Sequence, residues 1–174
     1  MNNKRTLGGL VAATLTAAVA VPVYAHHSFS IFDATQTKTF TGVVTRVNPD
    51  ANHLQIFFAP MNEERKNVER GADGKPIVWA VEMAGSAASA QMGISVAAFP
   101  AGTIFTVSLH PLRSGEPAGA REGALWKCPV RPNAAGVAKS VPPEAGKHCD
   151  SAEGAVKIGG DDVVPRAAAA TVIN

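Results

Sequence analysis

Apolar and polar residues alternate in three stretches of the chain. In HLQIFF (53–58), Leu54, Ile56 and Phe58 share one face, and His53 and Gln55 the other. IVWAVEM (77–83) puts Ile77, Trp79, Val81 and Met83 on one side. TIFTVSL (103–109) does the same with Phe105, Val107 and Leu109. A two-residue period predicts strands with one buried face. TFTGVVTRVNP (39–49) is rich in β-branched residues and predicts a further strand, with Asn48-Pro49-Asp50 as its closing turn. Its parity changes, since Phe40 lies on one face and Val43 and Val47 on the other. The glycine between them, Gly42, predicts a bulge or bend there. ALWKCPV (124–130) predicts the last strand, after a Gly/Pro-rich segment at 114–120.

Between the third and fourth strands, SAASAQMGISVAA (86–98) contains no proline and predicts a short helix with Ser86 as its N-cap. Gly93 weakens that helix by about 1 kcal/mol relative to alanine. The charged stretch MNEERKNVERGADGKP (61–76) reads as an elaborated hairpin loop with a solvated face, and Asp73-Gly74 is its turn signal. Residues 131–159 are rich in Pro and Gly and predict irregular structure, and 160–174 predicts a frayed, disordered tail. The chain is therefore expected to be mainly β. Its strand order, β-β-β-α-β-β, is that of a small five-stranded OB-like barrel with one short helix and an irregular C-terminal segment. A small β-sandwich satisfies the same alternation.

The N-terminus changes the compartment. Lys4 and Arg5 precede an uncharged apolar run from Leu7 to Ala20, and Val23-Tyr24-Ala25 ends in a small residue. This is the pattern of a secretory signal peptide over residues 1–25, with cleavage after Ala25. A membrane anchor needs about 20 consecutive apolar residues, more than this run supplies. Cleavage would leave one domain, 26–159, and its tail, exported to the periplasm or secreted. Of 16 Lys and Arg, two precede the cut, leaving 14 against 14 Asp and Glu. With no net charge and no basic cluster, nucleic acid is not an expected partner. The two cysteines, Cys128 and Cys149, are expected to form a disulfide in an oxidising compartment; a two-thiolate metal site is the alternative. Closing a loop of this size stabilises by about 3 kcal/mol.

The cut would expose His26 as the first residue, followed by His27. An α-amine with a pKa near 7.7–8.0 and the imidazole Nδ1 of His26 could chelate a metal, with His27 adding a nitrogen. Nitrogen-rich, tetragonal sites favour Cu(II), and copper is the cofactor expected if this site is real. The plain alternative is a polar start to the domain, with Phe29 and Phe32 docking on the barrel. His53 and His110 are possible further ligands and ordinary strand residues otherwise. His148 is most simply a loop residue. Trp79 and Trp126 are either core or a stacking platform for a sugar or another small ligand. No GxSxG, HExxH, P-loop or GxGxxG motif is present, so no catalytic group stands out.

Seven segments resemble the exported bacterial family catalogued as domain of unknown function 6152. They are AHHSFSIFD (25–33), FTGVVTRVNP (40–49), WAVEM (79–83), FPAGT (99–103), LHPLRSG (109–115), and LWKCP with GKHCD (125–129 and 146–150). Members often carry Asn-Pro-His after the first strand, whereas here Asn48-Pro49 runs on to His53. The resemblance implies export and an OB-like barrel, and no activity. The expected function is a non-enzymatic periplasmic binding or accessory module for a small molecule or envelope component, with no transmembrane anchor in its mature form. Its ligand is expected on strands two and three beside the 61–76 loop. The alternative is a copper-binding protein built on His26 and His27.

Overall fold

A computed structural model describes residues 29–49 and 53–160. The proposed signal peptide, His26, His27 and the tail from Asp161 lie outside the described residues. Five strands make the body: β1 (Lys38–Asn48), β2 (Gln55–Pro60), β3 (Trp79–Glu82), β4 (Ile104–Pro111) and β5 (Ala118–Lys127). Hydrogen-bonded neighbours run β3-β2-β1-β4-β5, and a β3–β5 pairing closes the ring. That closing contact is the one parallel pairing, Ala80–Ala118 to Glu82–Ala120; the other pairings in the ring are antiparallel. The molecule is thus a closed five-stranded barrel with a helix between the third and fourth strands, as the strand order predicts. Among the described residues, closure leaves the five body strands with no long open edge for another chain to extend.

The inner faces build the core. Val44, Leu54, Ile56, Phe58, Val81, Met83, Phe105, Val107, Leu109 and Leu125 fill the barrel, and Ile94 and Phe99 join the same buried cluster. Phe58, Phe99 and Phe105 meet edge to face, with ring centres 5.4 and 5.7 Å apart. The alternation read from 53–58, 77–83 and 103–109 names most of these residues.

Strand β1 departs from the expectation in an informative way. Phe40 and Val44 both face the barrel, and the register shifts between Val44 and Arg46, so the bulge is at Thr45. That shift turns Val47 inward. Gly42 is needed for space instead. A Cβ there would stand 2.5 Å from the Phe58 ring and 2.9 Å from the Ala59 carbonyl oxygen.

Helix α1 (Ser86–Gln91) is shorter than predicted and starts after Gly85. The Ser86 hydroxyl donates to the Pro49 carbonyl instead of capping the helix. Gly93 follows in the left-handed region, φ +81°, so it sits past the helix end and does not weaken its interior.

Strand β5 begins earlier than expected. Ala118-Gly119-Ala120 pairs with β3 and is the closure itself. Gly119 is pressed against Leu109 and the His110 carbonyl, leaving no room for a side chain. The C-terminal segment is mostly irregular, yet holds a hairpin of β6 (Val130–Pro132) and β7 (Ala138–Ser140) and a short β8 (Val156–Ile158) that adds to β5.

Replacing Gly42 with alanine is expected to destabilise the protein by roughly 1–3 kcal/mol, the usual cost of overpacking a filled core. Urea unfolding checks this, and an unchanged midpoint would show that Phe58 is not held against β1.

Candidate functional site

The outer face of β1 and β4 carries an unusual run of hydroxyls. Thr39 pairs with Ser108, and Thr41 with Thr106, in the antiparallel register. Their side-chain oxygens are 2.8 Å apart in both pairs. Thr37 extends the row and donates to Glu122 Oε2 of β5 at 2.7 Å. The same alternation that sends Phe40, Phe105, Val107 and Leu109 inward sends these hydroxyls outward.

The C-terminal segment folds back over one end of this row. Cys128 and Cys149 form the expected disulfide. With Met61 and Ile104 they make a second apolar cluster outside the barrel, against which Val43 and Trp126 pack. Beside it the Cys149 amide donates to Thr106 Oγ1 at 2.9 Å, and His148 Nδ1 shares a hydrogen bond with Thr41 Oγ1 at 2.8 Å. The loop at 61–76 is fastened to the same segment. Arg65 donates from Nε to the Lys147 carbonyl, and the Gly146 amide donates to the Glu63 carbonyl. That loop is therefore a buttress for the C-terminal segment, where the sequence predicts a ligand loop beside strands two and three.

A groove of about 380 Å³ opens between these parts. Thr39, Ser108, Glu122, Trp126, His148 and Asp150 contribute to its lining, and Lys157 Nζ sits 5.9 Å from the Trp126 ring centre. Desolvation holds the His148 imidazole below the ordinary histidine range; the Arg65 charge pushes the same way and Asp150 opposes both. A neutral imidazole, two carboxylates and a row of hydroxyls can donate and accept hydrogen bonds beside one aromatic wall.

The other tryptophan lies elsewhere. Trp79 packs on the barrel core and on Phe40, with ring centres 4.7 Å apart. It borders a separate cavity of about 310 Å³ with Lys38, Arg113 and Glu116. Trp79 and Trp126 thus belong to different clusters and do not form one platform. The histidines also have separate partners: His53 Nδ1 meets Glu82 Oε1 at 2.9 Å, and His110 Nδ1 bonds the Gln36 carbonyl at 2.9 Å. Among the described residues, no group of three or more His, Cys, Asp or Glu is placed to hold a metal. None of their helices is long and apolar enough to cross a membrane.

Sequence reasoning missed Thr37, Thr39, Thr41, Thr106, Ser108 and Glu122. A signal exists: hydroxyls recur at every second residue in both 37–41 and 106–108, within two predicted strands.

His148 is expected to titrate below about 6.5, the ordinary histidine value. Because the unfolded chain would then bind the proton first, stability falls as pH drops through about 6.5 and levels off below the folded pKa. Arg65→Ala should raise the His148 pKa. NMR titration checks both, and a His148 pKa at or above the ordinary value would contradict the burial that the disulfide imposes.

Residues 14–121 match a family of unknown function (DUF6152). The match ends within β5, so LWKCP, GKHCD, the disulfide and His148 lie beyond it. No curated protein and no solved structure matches the chain. A match over more than half the sequence, carried by the barrel strands described above, makes this chain a member of the family of unknown function DUF6152.

Proposed function

We propose that the protein is an exported, non-enzymatic binding module that holds a small hydroxyl-rich ligand, such as a sugar unit, in the groove over β1, β4 and β5. One observation carries this reading: Thr37, Thr39, Thr106 and Ser108 line a single concave surface with Glu122 and Trp126 of the neighbouring strand β5. Ligand sites combine an apolar wall with a few converging polar groups. A sugar ring offers an apolar face to an aromatic side chain, and its hydroxyls are good donors to carboxylates. Export is supported by the signal-peptide pattern and by the disulfide, which persists in oxidising compartments.

The test is calorimetry and tryptophan fluorescence of the mature protein against a panel of envelope glycans, lipids and small solutes. A saccharide is expected to bind without being consumed. Glu122→Gln should weaken it by about tenfold to a hundredfold, the usual effect of losing a charged hydrogen-bond partner. Equal affinity in the variant would displace the ligand from this groove, and turnover would make the protein an enzyme.

The clamped lead-in favours a second reading, copper binding by the His26 amine and imidazole with His27. Arg113 donates from its amide to the Ile31 carbonyl at 2.9 Å and from Nε to the Ser30 carbonyl at 3.0 Å. Phe32 is buried, and Asp33 is braced by Thr35, Gln36 and Arg113. A chain held this firmly from Ser30 onward gives an N-terminal chelate a fixed base. A copper titration should find the mature chain at least about tenfold tighter than one carrying His26→Ala/His27→Ala, because only the former presents an amine and imidazole in chelate range. Equal affinity removes this reading.

A further inference from the structure

The end of the barrel at which β1 and β3 begin carries a second cavity, separate from the groove over β1, β4 and β5. Lys38 opens β1, Trp79 opens β3 and Pro111 closes β4, and antiparallel pairing brings all three to the same end. With the lead-in and the β4–β5 turn they enclose about 310 Å³. Ligand pockets run from about 300 to 1,000 Å³, so this one suits a small molecule. Its walls are already fixed. The Asp33 amide donates to the Pro111 carbonyl at 2.8 Å, the Arg113 amide donates to the Ile31 carbonyl at 2.9 Å, and Phe32 bridges to Leu112. A preorganised site gives up little freedom on binding.

Asp33, Lys38, Arg113 and Glu116 line the cavity, and their formal charges cancel. Asp33 is committed to the protein. It accepts from the Thr35 hydroxyl at 2.6 Å, the Thr35 amide at 3.1 Å and Gln36 Nε2 at 2.7 Å, and these bonds, that of the Thr35 hydroxyl foremost, hold its carboxyl below the usual range. Arg113 is fixed through Nε, which donates to the Ser30 carbonyl at 3.0 Å, and through Nη1, which stands 3.8 Å from Asp33 Oδ1. Its Nη2 donors have no protein partner among the described residues. The Lys38 ammonium sits 5.2 Å from the Trp79 ring centre, a contact that positions a cation without neutralising it. No ion pair among the described residues includes Lys38 or Glu116. The Ser114 hydroxyl is 3.5 Å from Glu116 Oε2, too far for a good hydrogen bond.

We propose that this cavity binds a free amino acid, its carboxylate held by Lys38 and Arg113 Nη2 and its ammonium by Glu116. One small space thus presents oriented cationic donors and a carboxylate that the protein itself does not pair. A ligand with a single charge would meet one pole and leave the other. A zwitterion satisfies both, and adds no net charge to a site that has none. Guanidinium and ammonium groups both make charge-assisted hydrogen bonds to carboxylate oxygens, and Glu116 accepts the same kind of bond from an ammonium. Trp79 supplies the apolar wall for the ligand's side chain. The site is independent of whatever the groove holds.

Calorimetry of the mature exported chain against free L-amino acids tests this. Each is compared with its N-acetyl form, which lacks the ammonium, and its amide, which lacks the carboxylate. At least one amino acid should bind, and both blocked forms should bind at least about tenfold more weakly, the usual effect of losing a charged hydrogen-bond partner. Lys38→Gln should weaken the free amino acid by about tenfold and leave the amide unchanged. Glu116→Gln should weaken it likewise and leave the N-acetyl form unchanged. Both residues are exposed, so the variants should fold. The Trp79 indole N–H NMR signal should move on binding while that of Trp126 stays. Binding of no amino acid, equal binding of a blocked form, unaltered affinity in the variants, or a shift at Trp126 in place of Trp79 overturns the proposal. Phosphoethanolamine carries an anion and an ammonium as a lipid headgroup does, and should bind more weakly than the amino acid. Equal or tighter binding would give the cavity to headgroups and overturn the amino acid as its ligand.

Discussion

The outer face of this barrel depends on one small node, where the Cys149 amide meets the Thr106 hydroxyl beside the Cys128–Cys149 disulfide. Without it, Thr41 and Thr106 would be two polar residues on a solvated face, and His148 would belong to a loop. With it, a segment more than 40 residues downstream in sequence from Thr106 becomes one end of a groove. The covalent link does most of its work through the unfolded chain, by removing about 3 kcal/mol of loop-closure freedom. The hydrogen bonds then choose where the closed loop rests. Met61, Ile104, Val43 and Trp126 complete the contact with an apolar cluster that is separate from the barrel core.

Two cores back to back explain the division of labour in β1 and β4. Their inward residues, Phe40, Val44, Phe105, Val107 and Leu109, hold the barrel. Their outward residues bind the C-terminal segment at one end and leave Thr39 and Ser108 in the groove at the other. A single strand thus serves stability with one parity and the site with the other. The arrangement needs β4 to be fixed on both sides, by β1 and by β5, and the parallel β3–β5 contact is what completes that ring.

The barrel was legible because burial on one face writes itself into adjacent residues. Leu54, Ile56 and Phe58, or Phe105, Val107 and Leu109, announce their strands locally. Gly42 and Thr45 show the limit: the parity change in β1 was visible, but which residue absorbs it depends on Phe58 crossing from the neighbouring strand. The first part of β5 hid for a similar reason. Ala118, Gly119 and Ala120 look like a loop because close approach to β3 and β4 demands small side chains. The groove was less legible still. Hydroxyls on an outward face read as solvated until a distant segment covers them, and the pairing of Thr41 with His148 spans 107 residues. The disulfide was the one long-range contact that the sequence declared openly.

Amide hydrogen exchange at Cys149 measures this account most directly. In the oxidised protein its amide should be as protected as those of β4, and it should lose that protection in Cys128→Ser/Cys149→Ser while β4 keeps its own. Fast exchange at Cys149 in the oxidised protein, or loss of β4 protection along with it, would contradict a groove built on an independently stable barrel.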